Sequence, residues 1–394
     1  MIRIPIIIIA LYFSIVGALA QNSEKKDSSS YESRKLKIEE VNFATSYYHQ
    51  EGNNAAVTGG IGSEKLTDAA TTLELKLTKA GRGNRQHSFS VDLGIDFYTS
   101  ASSDKIDPST ISSASSSDVR VYPSASWTVN NPDKNFSWGL NGSVSSEYDY
   151  LSTGGGISMT KSSRDRNREI GVKLQAFIDQ VTIIYPIELR PAPSNINSSR
   201  NTYAATFTLS QIINKRLHLM LLLDVAQQQG YLSLPFNRVY FNDASVAVEK
   251  LPDNRFKIPI GLRANYFLGD RVILRGFYRY YQDNWGLNGH TAELETTVKI
   301  TPFLSASPFY RYYNQHAVDY FAPYQQHSIQ QSFYTSDFDL SGFNSHFAGV
   351  GVRFVSPDGI AGIQKWNMIE VRYGHYNRST GLTSNIISLL AKFK

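Results

Sequence analysis

Residues 88–98 read Ser-Phe-Ser-Val-Asp-Leu-Gly-Ile-Asp-Phe-Tyr, an unbroken alternation with Phe89, Val91, Leu93, Ile95 and Phe97 on one face and Ser88, Ser90, Asp92, Gly94 and Asp96 on the other. Successive side chains of a strand point to opposite faces, so this period of two predicts a strand with one oily side and one wet side. The split recurs in Leu73, Leu75 and Leu77 against Glu74, Lys76 and Thr78, and in Leu294, Thr296, Val298 and Ile300 against Glu293, Glu295, Thr297 and Lys299. It runs to the end of the chain, where Ile387, Leu389, Ala391 and Phe393 alternate with Ser388, Lys392 and Lys394. A soluble sandwich has shorter strands, with a turn signal every ~8–12 residues. These segments run to about 10–14 residues, the length a tilted strand needs to cross a bilayer.

The connections carry a second alternation. Tight polar turns at 80–85, 130–134, 163–167, 214–215, 268–270, 301–302 and 356–364 interleave with loops rich in Ser, Asn, Gly and Pro. Five of those loops are long (51–68, 100–117, 181–200, 229–254 and 316–344), and three are short, near Asp149, at 284–288 and at 378–383. Short turns on one side and long loops on the other are the habit of outer-membrane barrels, with the turns periplasmic. Fifteen connections predict an all-β, antiparallel up-and-down transmembrane barrel of about 16 strands (14–18), both termini periplasmic. Tyr and Phe cluster at strand ends, for example at Tyr47-Tyr48, Tyr280-Tyr281 and Tyr312-Tyr313, as interfacial aromatic belts require.

Composition narrows the class. The 394 residues hold 24 Tyr, 21 Phe and 27 Gly with only 19% charged residues, which suits neither disorder nor collagen. Mean hydropathy is −0.29 and the only long apolar run is N-terminal, which excludes a helical membrane protein. The absence of Cys removes disulfides, thiolate metal sites and Cys nucleophiles, and a formal charge of +5 is too small and dispersed for nucleic acid. Arg3, the apolar stretch 4–19 and the Ala18-Leu19-Ala20 end read as a signal peptide (1–20), cleaved after Ala20. A Ser-, Lys- and Glu-rich lead-in (21–40) follows, and then a single barrel domain (41–394) in the outer membrane of a Gram-negative bacterium, in contact with its lipid.

If the apolar sets face lipid, the charged ones face the lumen. They are Arg120, Lys173, Arg263, Arg275, Arg279, Arg311, Arg353, Arg372 and Lys392, with Glu74, Asp92, Asp96, Glu169, Asp179, Glu293, Glu295 and Glu370. Basic and acidic residues concentrate on different strands, which allows either cross-lumen pairs that brace the wall or a transverse field along an arginine-lined path for anions. In the two central loops, Tyr185, Arg190, Phe236, Asn237 and Arg238 are candidate contact residues, stiffened by Pro186, Pro191, Pro193 and Pro235. Those loops would form a lid over the mouth or a surface that captures a ligand or partner.

Enzymatic constellations are absent: the eight His show no HxH or HxxxH spacing, and no nucleophile elbow, P-loop or dinucleotide fingerprint occurs. The nearest catalytic materials are Asn344-Ser345-His346 and the run Tyr334, Asp337, Asp339. Asp104, Asp107, Asp243, Asp337 and Asp339 lack the spacing of known calcium loops. No catalytic residue, cofactor or metal is expected.

Several stretches carry a resemblance: 107–127 (DPSTISSASSSDVRVYPSASW), 147–150 (EYDY), 172–191 (VKLQAFIDQVTIIYPIELRP), 234–243 (LPFNRVYFND), 251–274, 334–354 (YTSDFDLSGFNSHFAGVGVRF) and 371–394. Over roughly residues 36–394 the chain resembles an uncharacterised Bacteroidota outer-membrane family, the domain of unknown function 3570. That resemblance implies a single-chain outer-membrane barrel and, by association, a lipoprotein or redox partner in the envelope; it carries over no catalytic residue. It also implies His at the position of Asn237, a departure that weakens any metal or proton role for that loop. The function expected is a channel or conduit for a polar solute, with anions among the candidates. A scaffold for an envelope redox or export complex is the alternative, and an outer-membrane hydrolase the third.

Overall fold

The computed structural model describes residues 35–99, 117–191 and 195–394. The expected signal peptide, most of the lead-in and nearly all of the loop expected at 100–117 lie outside the described residues. Residues 36–394 form one unit. In chain order its strands are β1 (Lys37–Glu51), β2 (Leu66–Ala80), β3 (Gln86–Thr99), β4 (Ser117–Asn131), β5 (Phe136–Ser146), β6 (Tyr150–Ser162), β7 (Arg168–Ile184), β8 (Asn195–Ile212) and β9 (Leu217–Gly230). Then come β10 (Arg238–Tyr240), β11 (Val246–Val248), β12 (Asn254–Leu268), β13 (Val272–Asp283), β14 (Asn288–Lys299), β15 (Leu304–His316), β16 (Phe343–Val355), β17 (Trp366–Arg378) and β18 (Thr383–Phe393).

Sixteen of these close into an all-antiparallel barrel in which β1 pairs with β18, from Val41↔Phe393 to Glu51↔Thr383. The pair β10–β11 stands apart as a small hairpin within the loop between β9 and β12. Closure leaves no strand edge unpaired, which a bilayer demands because it offers no water to an unsatisfied backbone group. The apolar sets point outward and stay accessible, with Val91, Leu93, Leu140, Leu174, Leu221, Leu262, Leu294, Val352 and Ile387 all more than a third exposed. In a soluble protein such a belt would aggregate; in a bilayer it is the solvated surface.

The turns follow from local chemistry. Between β2 and β3, Gly83 and Asn84 take left-handed backbone (φ 64° and 55°). At the β8–β9 turn the Asn214 side chain accepts from the Arg216 and Leu217 amides, an Asx motif that fixes the reversal.

Two boundaries differ from the sequence reading. The lead-in expected to reach residue 40 gives way to strand at Lys37, and Glu40 becomes part of the wall. The loop expected at 181–200 shrinks to 185–194, because β7 and β8 continue to pair from Val181↔Ser198 to Ile184↔Asn195. The β-branched run Val181-Thr182-Ile183-Ile184 favours extended backbone, and its three apolar members are buried.

Candidate functional site

The register sorts the charged residues onto the face opposite the lipid-facing set. Asn42, Glu74, Asp92, Ser124 and Ser143 stand opposite one another across β1 to β5, and Asp96 stands opposite Arg120. Lys173 faces Ser158 and Thr206. Arg263 faces Phe277 and Met220, Arg279 faces Thr291, Arg275 faces Glu295, and Arg311 faces Glu293 and Phe347. Arg353 faces Glu370, and Arg372 faces Gly351 and Ser388. These fourteen charged residues therefore share one face of the sheet.

Many of these charges are paired across strands. Arg275 Nη1 lies 2.5 Å from Glu295 Oε1, and Arg372 Nη2 reaches the other oxygen of the same carboxylate at 2.6 Å, three strands away. Arg372 spans that distance because the position beside it is Gly351, where a Cβ would sit 3.1 Å from Arg372 Cγ. Its other nitrogen, Nη1, lies 3.2 Å from Glu370, whose second oxygen takes Arg353 Nε at 2.7 Å. Arg311 pairs with Glu293 at 2.6 Å, and at the inner end Lys392 and Lys76 converge on Glu40 at 2.7 and 3.2 Å. These pairs brace β13–β17 and, as a separate group, β18, β1 and β2.

A remainder is left without an opposite charge. Among the described residues, Arg263, Arg279 and Lys173 have no carboxylate within ion-pair distance; Arg263 lies 5.5 Å from the centre of the Phe277 ring. On the acidic side, Asp92 accepts from the Ser124 hydroxyl at 3.0 Å, Asp96 from the Tyr122 hydroxyl at 2.8 Å and Asp224 from the Thr206 hydroxyl at 2.6 Å, all neutral donors. Tyr122 lies flat over Gly94, whose absent Cβ would meet the ring at 2.0 Å; no other residue fits there.

Long outer loops fold over one end. Leu251, Trp285, Leu287 and Val318 make a small apolar core, packed by Tyr320, Phe321 and Leu340. Glu249, after β11, is buried and accepts from Thr335 Oγ1 at 2.6 Å, the Leu234 amide at 2.7 Å and Asn237 Nδ2 at 3.3 Å, while burial pushes its pKa up. His327 is fully buried and its Nε2–H donates to the Thr335 carbonyl at 2.9 Å.

The lid accounts for three of the expected contact residues. Phe236, Asn237 and Arg238 are buried, Arg238 holding Glu188 at 2.6 Å and the Val57 carbonyl at 2.6 Å. They tie loop to loop and offer little surface, because a guanidinium already clasped by a carboxylate has few donors left. Tyr185 and Arg190 belong to one turn, where Arg190 Nη2 donates to the Tyr185 carbonyl at 3.1 Å.

Beneath the lid lies a cavity of about 570 Å³, bordered by Glu64, Arg279, Glu293, Arg311, Asp339 and Arg378, with Tyr48, Tyr313 and Tyr376. Tyr48 and Tyr313 were expected in the interfacial belt. Each Tyr-Tyr doublet instead divides, because neighbours on a strand face opposite ways: Tyr47 is lipid-facing and 51% exposed while Tyr48 lines the cavity. Sequence reasoning also missed Arg378 and Glu64. Arg378 is buried and pairs with Asp339 at 2.5 Å. Burial and then the Asp339 carboxylate push Glu64 up to about 7, with Arg378 pulling the other way.

Ser345 and His346 do not converge. Ser345 is buried on the lumen face, whereas His346 faces outward and its Nδ1 lies 2.7 Å from the Tyr310 hydroxyl. Period two separates the pair across the sheet.

Sixteen closed antiparallel strands, apolar outside and charged inside, define a transmembrane β-barrel of the outer-membrane type. Within that class, the chain belongs to the family described as protein of unknown function (DUF3570), which matches residues 9–382. No curated protein matches the sequence. Among solved structures, the fold is similar to OccD3 (OpdP) of Pseudomonas aeruginosa, at 8% identity over 90% of this chain and 90% of that one, with a TM-score of 0.44. It is similar to the ferric enterobactin receptor PfeA of Pseudomonas aeruginosa at 10% identity over 86% of this chain and 53% of that one, TM-score 0.48. OccAB4 of Acinetobacter baumannii matches at 8% identity over 93% and 99%, TM-score 0.38.

Proposed function

We propose that the protein is an outer-membrane channel for a polar solute, closed at its outer mouth by the folded lid. The observation that carries this reading is the charge left over after pairing. Among the described residues, Arg263, Arg279 and Lys173 face the lumen with no carboxylate in ion-pair contact, while Asp92 and Asp96 face it from β3 with no cation in ion-pair contact. A wall built only for rigidity has no use for uncompensated charge, whereas a transverse field over a wet path attracts and orients charged or dipolar solutes. Strand closure and the lipid-facing belt support an outer-membrane location after removal of an export signal.

Planar-bilayer conductance tests this reading, with wild-type protein and with a variant whose lid is loosened at Trp285. Discrete conductance steps, larger or more frequent in the variant, are the expected result. Silence from both would overturn the channel and leave the barrel as a scaffold for envelope partners.

A further inference from the structure

We infer that Asp118, Glu147 and Asp149 form a divalent-cation site of the calcium class at the outer rim of the barrel, on its lumen side. The three come from two elements: Asp118 is the second residue of β4, and Glu147 and Asp149 occupy the tight connection from β5 to β6. One carboxylate oxygen from each lies within 4.8 Å of the other two. A cation bound by oxygen at ~2.3–2.6 Å sets its ligands no farther apart than about 5 Å, so this spacing fits one ion between them.

Charge and burial point the same way. The nearest cation is Arg120, whose Nε lies 3.5 Å from Glu147 Oε1 while donating to the Ser145 hydroxyl at 2.9 Å. Among the described residues, three carboxylates against one guanidinium leave a surplus of two negative charges, the charge a divalent ion supplies. Asp118 is only 6% exposed. Its Oδ1 accepts from the Val119 amide at 2.7 Å, but its Oδ2 is buried with no hydrogen-bond donor among the described residues. A buried carboxylate oxygen without a donor is costly, and a coordinated metal is one of the few partners that satisfies it. Glu147 Oε2 accepts from the Tyr98 hydroxyl at 2.8 Å, a contact that orients the carboxylate and is compatible with a metal ligand.

Oxygen-only ligands favour calcium or magnesium over zinc or copper, and an irregular trio spread over two elements suits the flexible calcium shell better than the strict magnesium octahedron. The ion would clamp the outer end of β4 to the β5–β6 turn.

The test uses the full mature barrel refolded in neutral detergent, free of lipopolysaccharide and stripped with chelator. Terbium serves as the probe, since excitation of tyrosine transfers energy to a bound lanthanide and the Tyr98 hydroxyl touches Glu147, with Tyr148 between Glu147 and Asp149 in sequence. The expected result is saturable terbium luminescence displaced by Ca²⁺, and calorimetry showing one Ca²⁺ site with Kd in the range of about 10⁻⁴–10⁻³ M that extracellular modules use. Asp118→Asn and Asp149→Asn should each weaken Ca²⁺ at least tenfold, while Asp243→Asn, in a distant loop, should leave it unchanged. Heat-modifiable migration on gels reports that each variant folds, and Asp149→Asn, in a turn, carries the test if Asp118→Asn does not. Wild-type protein without displaceable luminescence up to about 10 mM Ca²⁺, or folded variants that bind as the wild type does, would overturn the site.

Discussion

Arginine placed at Leu93 should destabilise the barrel strongly, and the same change four residues away should hardly matter. Leu93 is the eighth of the fourteen residues of β3, outward-facing and 38% exposed, opposite Leu73 and Pro123. A strand rises ~3.3 Å per residue and a barrel strand tilts by about 40°, so each residue climbs about 2.5 Å. Leu93 therefore sits roughly 15–18 Å from both ends of the strand, at mid-depth, where an Arg facing lipid costs about 2–4 kcal/mol. Phe89, on the same face, lies about 10 Å lower, close to the edge of a hydrophobic band ~25 Å tall, where the cost falls to about 0–1 kcal/mol. At ~1.4 kcal/mol per factor of ten, Leu93→Arg should shift the folding equilibrium by about 30- to 700-fold. The assay is urea unfolding of protein reconstituted in lipid vesicles, followed by Trp fluorescence. Asp92→Asn is the companion variant: it faces water, and Asn can still accept from the Ser124 hydroxyl, so less than about 1 kcal/mol should be lost. Equal costs at Phe89 and Leu93 would refute the depth assignment. Asp92→Asn as damaging as Leu93→Arg would refute the register, since a slip of one residue exchanges the two faces.

Neutralising Arg263 and Arg279 together (Arg263→Ser, Arg279→Ser) should move reversal potentials toward cation selectivity, more so at low salt, where the Debye length grows to ~30 Å at 0.01 M. Arg353→Gln should change selectivity little and instead cost roughly 1 kcal/mol in urea unfolding, because it takes one of two guanidinium partners from Glu370. Trp285→Ala removes the centre of the lid's apolar core, a loss of about 3–5 kcal/mol at a fully packed site, and should raise open probability in bilayers without lowering the stability of the wall. Because Glu64 is raised from 4.5 to about 7 in the closed lid, that lid holds the proton more tightly than an opened one. Its contribution to closure is full below about pH 4.5 and is lost as pH rises to about 7, so conductance should climb across that window and Glu64→Gln should flatten the rise.

The wall was legible because its chemistry is local. Phe89 to Phe97 alternate with Ser88 to Asp96 whatever the rest of the chain does, and polar turns such as Asn214-Lys215 separate the strands, so face and strand count follow from neighbours in sequence. Partners were not legible. Arg372 and Glu295 are 77 residues apart and meet over Gly351, a contact that depends on strand tilt and on an absent side chain. The lid was less legible still: Arg238 meets Glu188 and Val57 at separations of 50 and 181 residues, and nothing near Arg238 in sequence marks it as buried. Tyrosine doublets misled for a related reason, since composition locates them near an interface while the two-residue period sends one ring to lipid and its neighbour to the cavity.

Pairing and lack of pairing divide the lumen into parts with different duties. The ladder Arg275–Glu295–Arg372–Glu370–Arg353 spends its charge internally, and each guanidinium there is held by a carboxylate at 2.5–3.2 Å. Such pairs are nearly neutral to a passing solute beyond a few ångströms, so their effect is on the stiffness and shape of β13–β17. Arg263 stands on β12 beside the Phe277 ring, Arg279 on β13 opposite Thr291 at the border of the cavity, and Lys173 on β7 with hydroxyls, none of them in ion-pair contact with a carboxylate among the described residues. Asp92 and Asp96 answer from β3, held by hydroxyls that fix their direction without cancelling their charge. A count of lumen charges would treat all of these alike and find near balance. Sorted by partner, the same residues give a braced sector and, elsewhere on the wall, charges of opposite sign without ion-pair partners on different strands, and on the proposed channel reading it is these that a solute would meet.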